Sequence, residues 1–525
     1  MASALARGGW RRWLAVAAAI GILLPAVAGA AGCSRAQGGA AGTAIILVAD
    51  FAGPDPAKHR VTGAVIDQVR RETRQYRDVR VRGLGRAIDA GQGSRDACAE
   101  GQRLKAALVL WGEYRVDGQD VVATVHFELM RVLTGAPSGG PAEEAPLQGL
   151  MESFAIPMPL KGELRPAALL AAGAVRYAMG DWTGAIERLS AALDQSASTD
   201  LILTALGLRQ MIYGAQGDLS RALADCERAI SLKPGDAVLY HNRAVTYAQQ
   251  GDFSRAIADL DQAIALDPGM AEALCTRGTI YGSQGDLERA LADFDRAIAA
   301  RPDLAVAYYD RAFAWSGLGD LDKAVADLDQ AIALRPDFTE AHYTRGLAYS
   351  ETGDPASAVT SFGQAIALSP AHAAAYYERG RAYAALGALP QAVSDFDRVI
   401  ALEPGNAEAY LARGTAHALQ DDLGPAIADF NQAAALNFEV PDLYCNRGMA
   451  YSQQGDLARA IADFDRAAAL DPEMPQVYWG YGLTYIQQGA TDKAIAALRR
   501  FLELSDDQEA RQAAEAMLQE LGGKK

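Results

Sequence analysis

The sequence predicts a mainly α-helical solenoid preceded by a small α/β domain. Three observations lead to this fold class: a period of 34 residues from about Pro166 to the C-terminus, an apolar N-terminal leader, and a βαβαββ pattern between them. The predicted parts are a signal peptide or membrane anchor (1–33), an α/β domain (44–133), a linker (134–165), a repeat array (166–507) and a C-terminal cap helix with its tail (508–525).

The leader has the composition of an export signal. Arginines at its start precede an apolar run over residues 13–31, and Gly32 and Cys33 follow. Residues 30–33 resemble a bacterial lipoprotein box, which implies a lipidated Cys33. Two alternatives stay open: an uncleaved single-pass anchor, since the run is long enough to span a bilayer, and cleavage after Ala30. A twin-arginine signal matches poorly. Each alternative predicts an extracytoplasmic chain, anchored to the membrane of a bacterial envelope in the first two.

The segment after the leader alternates between strand and helix patterns. Apolar runs rich in Ile and Val predict strands at 44–50, 79–81, 107–114 and 121–129, and helical spacing predicts helices at 61–76 and 94–104. This order suggests one sheet with helices packed on it. Its start at Val48–Phe51 and the strand at 107–112 are similar to the N-terminal α/β domain of the envelope protein TolB. Gly, Pro, Ser and Glu over 134–146 indicate a linker or long loop.

Each 34-residue segment predicts two helices joined by a tight turn. We number the columns of the period from Ala271, so that Gly278 stands in column eight and Gly285 in column fifteen. Gly285 suits a left-handed helix cap, and Asp286 can then cap the next helix. Pro302 ends the second helix because it has no amide hydrogen to donate.

The same residue types recur in these columns along the array. Column eight is small, column eleven aromatic, column fifteen Gly, columns twenty and twenty-seven Ala, column twenty-four Leu or Phe, and column thirty-two usually Pro. These columns resemble the tetratricopeptide repeat family, over about ten units and two-thirds of the chain. Asp421 and Phe438 depart from the pattern, so we expect altered turns there. We expect no catalytic domain after the cap helix.

The resemblance implies a binding groove. In this family the first helix of each pair lines a concave surface, and columns two, five, nine and twelve point into it. Column five suggests aromatic groove residues suited to anchoring an extended peptide; these are Tyr309, Tyr343, Tyr377 and Trp479. The alternative is that these rings partly pack against adjacent helices.

Column seven contains an arginine in most repeats, and column twenty-three contains an aspartate. An arginine ladder could bind an acidic ligand. The interpretation we favour is a network of ion pairs between neighbouring helices.

Charge and chemistry limit the function classes. The formal charge is −16, and the repeats carry roughly −20, which disfavours nucleic acid as a partner. Asp50, Asp55, His59 and Arg60 follow the first strand, where α/β sheets often bind ligands. No phosphate loop, nucleophile motif or His and acid cluster accompanies them, so we predict no catalytic residues, no metal and no cofactor. The remaining cysteines lack metal or redox spacing, and no disulfide is expected within the repeats.

The sequence therefore favours a non-enzymatic, membrane-tethered scaffold that binds a protein or extended peptide in the groove of the repeats. One alternative is a ligand-binding or enzymatic α/β domain regulated by the repeats. Another is a self-assembling envelope protein, since a homo-oligomer is compatible with the repeats.

Overall fold

A computed structural model describes residues 44–53, 60–76, 79–88, 93–117, 120–129 and 153–522. The predicted leader, the lipidation candidate Cys33 and residues 134–152 of the predicted linker lie outside these ranges. The described chain divides into two compact units, with the boundary in sequence between Pro336 and Asp337.

The N-terminal unit begins with a five-stranded sheet of order β2-β1-β3-β4-β5. The central strand β1 is parallel to β2 and β3, and the pairs β3–β4 and β4–β5 are antiparallel. The strands and the two helices between them are β1 (Ala44–Asp50), α1 (Val61–Thr73), β2 (Val79–Ala87), α2 (Gly93–Arg103), β3 (Leu108–Asp117), β4 (Asp120–Leu129) and β5 (Ser153–Pro159).

The end of the predicted linker differs from the sequence-based interpretation. Ser153–Pro159 forms the edge strand β5, and the first repeat helix, α3 (Leu160–Ala178), begins at the next residue. An edge position tolerates Pro157 and Pro159, which have no amide hydrogen for a ladder, and this explains why the segment reads as a loop in sequence. The sheet and the repeats are therefore joined directly.

The α/β domain and the first repeats share one hydrophobic core. Ile46 of β1 and Leu110 of β3 are buried in the same cluster as Val65 of α1 and Leu169 of α3. A smaller cluster, which includes Trp111, lies on the opposite face, beneath α2. The α/β domain is thus the packed end of the repeat stack in this unit.

The repeats follow as antiparallel helix pairs. In the N-terminal unit the remaining helices are α4 (Trp182–Gln195), α5 (Thr199–Ala215), α6 (Leu219–Leu232), α7 (Ala237–Gln249), α8 (Phe253–Leu266), α9 (Ala271–Ser283), α10 (Leu287–Ala300), α11 (Ala305–Gly317) and α12 (Leu321–Leu334). In the C-terminal unit they are α13 (Thr339–Thr352), α14 (Pro355–Leu368), α15 (Ala373–Ala385), α16 (Leu389–Leu402), α17 (Ala407–Leu419), α18 (Leu423–Ala435), α19 (Pro441–Gln454), α20 (Leu457–Leu470), α21 (Pro475–Gln488), α22 (Thr491–Leu504) and α23 (Gln508–Gly522). The predicted solenoid of ten helix pairs with a cap helix is confirmed.

The turn within each repeat follows the predicted chemistry. Gly285 has φ of 82°, a left-handed conformation that glycine adopts without strain. The Asp286 carboxylate then accepts a hydrogen bond of 3.1 Å from the amide of Arg289, which caps α10. Asp421, which replaces glycine in this column, adopts φ of 62°. At the turn where we expected a change, Asp421 thus adopts the same left-handed backbone conformation as the glycines of this column.

Column eight sets the distance between the two helices of a repeat. A Cβ atom added at Gly278 of α9 would lie 2.8 Å from the ring of Phe294 on α10. Phe294 is buried, so the ring occupies the space that a larger residue would need. The predicted pairing of a small column eight with a bulky column twenty-four is a direct contact.

Candidate functional site

The first helices of the repeats form one layer in each unit. In the N-terminal unit α5, α7, α9 and α11 each contact the next member of the series, and in the C-terminal unit α13, α15, α17, α19 and α21 do the same. Neighbouring second helices in the described ranges are not in comparable contact. We call these two sets the first-helix layers; they are the closely packed side of each stack.

Three of the predicted groove aromatics lie in the C-terminal layer, and all three are partly buried. The ring of Tyr343 lies 5.7 Å from that of Phe362, and the Tyr377 ring lies 5.8 Å from that of Phe396. Trp479 packs on Phe501 at 5.1 Å. Each aromatic therefore rests on the core residue of its own repeat and keeps part of its surface accessible.

The fourth predicted aromatic, Tyr309, lies on α11 in the N-terminal unit. Its ring meets Phe313, one turn further along the helix, edge to face at 4.9 Å. Like the other three, Tyr309 is partly buried. Tyr343, Tyr377 and Trp479 make the contacts with an adjacent helix that the alternative interpretation expects, whereas the ring contact of Tyr309 is within its own helix. The role of all four rings in binding a peptide stays a prediction.

The arginine ladder is a structural network, as favoured from the sequence. Arg311 of α11 donates from Nη2 and Nε to both carboxylate oxygens of Asp327 on α12, at 2.6 and 2.8 Å. Its Nη1 atom donates to Asp295 of the preceding repeat at 2.7 Å. Asp327 is buried, so the fork is held away from water. The same fork to column twenty-three recurs at Arg209, Arg243, Arg277, Arg379, Arg413 and Arg447.

Two acids in column six have contrasting environments. In the C-terminal unit, Glu378 of α15 is paired with Arg381 in column nine of the same helix at 2.9 Å. In the N-terminal unit, Asp310 of α11 has Phe313 in the matching column nine. Among the described residues its one hydrogen bond comes from Thr279 Oγ1 of α9, at 3.4 Å.

Burial changes the protonation of both acids. It raises the pKa of Glu378, and the ion pair with Arg381 opposes this shift. Burial raises the pKa of Asp310 to about 7, opposed only by the hydrogen bond from Thr279. Protein surrounds the Asp310 carboxylate, yet part of the residue surface remains accessible. Among the described residues, Asp310 is thus a largely enclosed carboxylate without an ion-pair partner.

His241 connects two first helices in the N-terminal unit. It is fully buried on α7, and its Nε2 atom lies 3.0 Å from Thr276 Oγ1 on α9. Its Nδ1 atom is buried and has no hydrogen-bond partner in the part of the chain that the structure describes. Burial lowers the pKa of His241 to about 4, so the imidazole is neutral at pH 7.

The candidate ligand-binding residues after β1 are only partly described. Asp50 ends β1 and is partly buried, while Arg60 is exposed and has φ of 48° at the start of α1. Asp55 and His59 lie outside the described residues. The structure therefore leaves that group as a prediction.

A basic strip lies on the α/β domain and was not expected from the sequence. Residues 70–86 contain seven arginines and two acids. Arg80 and Arg82 are exposed on the edge strand β2, and Arg70 of α1 donates to the Val81 carbonyl oxygen at 3.5 Å. The sequence shows this strip as a local excess of positive charge in a chain whose net charge is negative.

Three further observations concern chemistry and membrane spans. Across the described ranges, no three His, Cys, Asp or Glu side chains lie together in a way that could hold a metal ion. The cysteines there are free, and burial raises the pKa of the Cys226 and Cys445 thiols to about 12. No helix within the described part of the chain is long and apolar enough to cross a membrane.

Several solved structures are similar to parts of this chain, but their overall superposition on it is poor. Crystal structures of MamA and of YrrB, described as a TPR protein with an unusual peptide-binding site, are 27% and 26% identical to this chain. They cover 31% and 35% of it and 96% and 95% of their own chains, with TM-scores of 0.30 and 0.31. A tetratricopeptide repeat protein from Parabacteroides merdae is 22% identical over 47% of this chain and 98% of its own, with a TM-score of 0.35.

No curated protein matches the chain. Two family models described as tetratricopeptide repeat do match it, at residues 210–278 and 278–343, and at residues 170–237, 343–397, 389–440 and 445–509. Together these matches cover well over half of the chain and coincide with the helix pairs described above. The chain belongs to the tetratricopeptide repeat family.

Proposed function

We propose that this chain is a non-enzymatic, membrane-tethered scaffold of a bacterial envelope, whose first-helix layers bind a protein or extended peptide. Tetratricopeptide repeat proteins are typically protein-interaction scaffolds, and the repeats of this chain support the same role for it. The observation that supports peptide binding most directly is the pair Tyr343 and Tyr377, on successive first helices of one unit.

The packing of these rings favours a recognition role. Tyr343 rests on Phe362 and also lies 4.9 Å from the ring of His372, so its orientation is fixed before any ligand arrives. Tyr377 rests on Phe396 in the same way. A rigid aromatic anchor loses little conformational entropy on binding, and aromatic side chains dominate the energy of many interfaces.

The test is binding of a partner isolated from the native envelope. The full chain and its Tyr343→Ala and Tyr377→Ala variants serve as bait, and the partner that the wild type captures is then purified and titrated. We expect each variant to weaken binding about tenfold or more. Tyr383→Ala, from column eleven of the same unit, is the control for loss of an aromatic outside column five. Equal affinity of all four proteins would show that the partner does not use these rings.

Tethering through the leader is the second part of the proposal. Only ten residues lie between Cys33 and Ala44, which starts β1, so an anchored leader would keep the sheet within roughly 40 Å of the bilayer. The exposed arginines of β2 suit an anionic lipid surface, and they favour an α/β domain close to the membrane.

Labelling in the native host tests the anchor. Cells fed with radioactive palmitate should yield a labelled, membrane-bound chain, and Cys33→Ser should lose the label. A chain that stays in the membrane fraction without label indicates the uncleaved anchor instead. Release of the wild-type chain into the soluble fraction contradicts tethering.

A further inference from the structure

We propose that Asp310 is a cation subsite in the N-terminal first-helix layer, which receives a lysine or arginine side chain of a bound extended peptide. This inference rests on the proposed function and adds the chemistry of the partner: a basic residue at the position that meets α11.

The repeats themselves provide the comparison. Column six and column nine are three residues apart on a helix and lie on the same face. In α15 these columns hold Glu378 and Arg381, which form an ion pair of 2.9 Å. In α11 they hold Asp310 and Phe313, so the acid is present and the matching cation is absent. A ligand cation would complete at Asp310 the arrangement that α15 completes internally.

The groups around Asp310 fit a cation. Thr279 Oγ1 of α9 lies 3.4 Å from one carboxylate oxygen of Asp310, but its single hydrogen is shared with the Cys275 carbonyl oxygen at 2.9 Å. The bond to Asp310 is therefore weak, and both carboxylate oxygens keep capacity to accept from a ligand. Tyr309 and Phe313 form an aromatic pair on the same helix, with ring centres 4.9 Å apart. A guanidinium or ammonium group can pair with a carboxylate while its edge or stem contacts aromatic rings.

The buried position of Asp310 makes its ionised form less stable than that of an aspartate in water. Surrounding protein removes water from its carboxylate and raises its pKa to about 7, so a large fraction of the side chains stays protonated at neutral pH, where an ordinary aspartate is ionised. An asparagine would keep the hydrogen bond from Thr279 without that penalty. A bound cation reverses the penalty, because an opposite charge favours the ionised carboxylate. The net negative charge of the repeats adds a long-range attraction for basic peptides.

The experiment begins with a random dodecapeptide library displayed on phage, selected on the immobilised full chain in detergent. Parallel selections use D310N and D322N. Asp322 is an exposed acid on α12 in the same unit, so D322N removes the same charge from a position outside the layer. We expect lysine or arginine to be enriched at one fixed position on the wild type and on D322N, and not on D310N.

Calorimetric titration of the most enriched peptide then measures the subsite. We expect D310N to weaken binding by roughly tenfold to a hundredfold, as for loss of a charge-assisted contact, and D322N to leave the affinity unchanged. F313R copies the internal pair of α15 and should block the peptide by occupying Asp310 itself. A citrulline in place of the basic residue should lose affinity for the wild type and not for D310N.

The outcomes separate this inference from the proposed function. Selected peptides without a fixed basic residue, or with equal affinity for wild type and D310N, overturn the Asp310 subsite and leave peptide binding standing. Failure to enrich any peptide on the wild type overturns both. We expect D310N to fold, since it removes a carboxylate that burial penalises, and far-ultraviolet circular dichroism is used to check its helix content before binding is measured.

Discussion

Arg277 and Asp293 are joined by two parallel hydrogen bonds of 2.7 Å that link the first helix of a repeat to its second. The third nitrogen of Arg277 donates to Asp261 of the preceding repeat at 2.5 Å. One guanidinium thus ties three helices, and its planar geometry allows this because its donors point in different directions. Because the same fork recurs along the array, the arginines of column seven join neighbouring helices.

Breaking this fork should destabilise the array strongly. Arg277→Met keeps the apolar stem and removes the charge, so the buried carboxylate of Asp293 loses its two short hydrogen bonds and retains the longer contact of 3.6 Å with Arg296. We expect a loss of about 2–3 kcal/mol in the free energy of unfolding. Urea denaturation followed by circular dichroism measures the loss.

Arg289→Met is the matched control in the same repeat. Arg289 also pairs with an aspartate, Asp286, but its side chain is 63% exposed. An exposed pair contributes little because water screens it. Equal losses for the two variants would contradict the view that burial gives the ladder its strength.

Two glycines of α9 should respond in opposite directions to the same change. Gly278→Ala places a methyl group 2.8 Å from Phe294 and should destabilise by about 1–3 kcal/mol. Gly282→Ala meets its nearest neighbour, the Cβ of Ala290, at 3.8 Å, and should stabilise by up to about 1 kcal/mol through helix propensity. Shifts of the same sign in thermal unfolding would mean that column eight does not limit the approach of the two helices.

The repeat array could be predicted because its columns are packing contacts. A small residue at Gly278 and a ring at Phe294 are needed for one close crossing, so their spacing in sequence reports the crossing itself. The left-handed turn at Asp421 shows that the path of the chain survives the loss of one such residue.

Contacts between distant segments could not be predicted in this way. The strand β5 contains prolines, which are typical of loops in a sequence. Its pairing with β4 depends on the fold of the whole sheet. The burial of His241 likewise depends on α9, since column five holds a different residue in most repeats. Asp310 was visible as an acid, but its lack of a cation follows from comparing its surroundings with those of Glu378.

His241 should make the array sensitive to acid. Its folded-state pKa of about 4 lies below the ordinary value of 6.5, so the unfolded chain binds the proton more readily. The stabilisation is therefore complete above pH 6.5 and is lost as the pH falls towards 4. His241→Leu, which introduces the residue that column five has at Leu411, should flatten the dependence of unfolding midpoint on pH across this window. An unchanged slope would mean that other groups cause the acid sensitivity.

Asp310 should produce the opposite dependence, because its folded-state pKa of about 7 lies above the ordinary aspartate value of 3.8. Here the folded chain holds the proton more tightly, so stability is lost as the pH rises from about 4 to about 7. At about 1.4 kcal/mol for each pH unit between the two values, the penalty reaches at most about 4 kcal/mol at pH 8. Asp310→Asn should therefore raise the urea midpoint at pH 8 and match the wild type near pH 4, while Asp322→Asn should change neither. A midpoint at pH 8 that falls in Asp310→Asn would mean that the ionised carboxylate stabilises the free protein, and the case for a ligand cation at this position would lose its energetic basis.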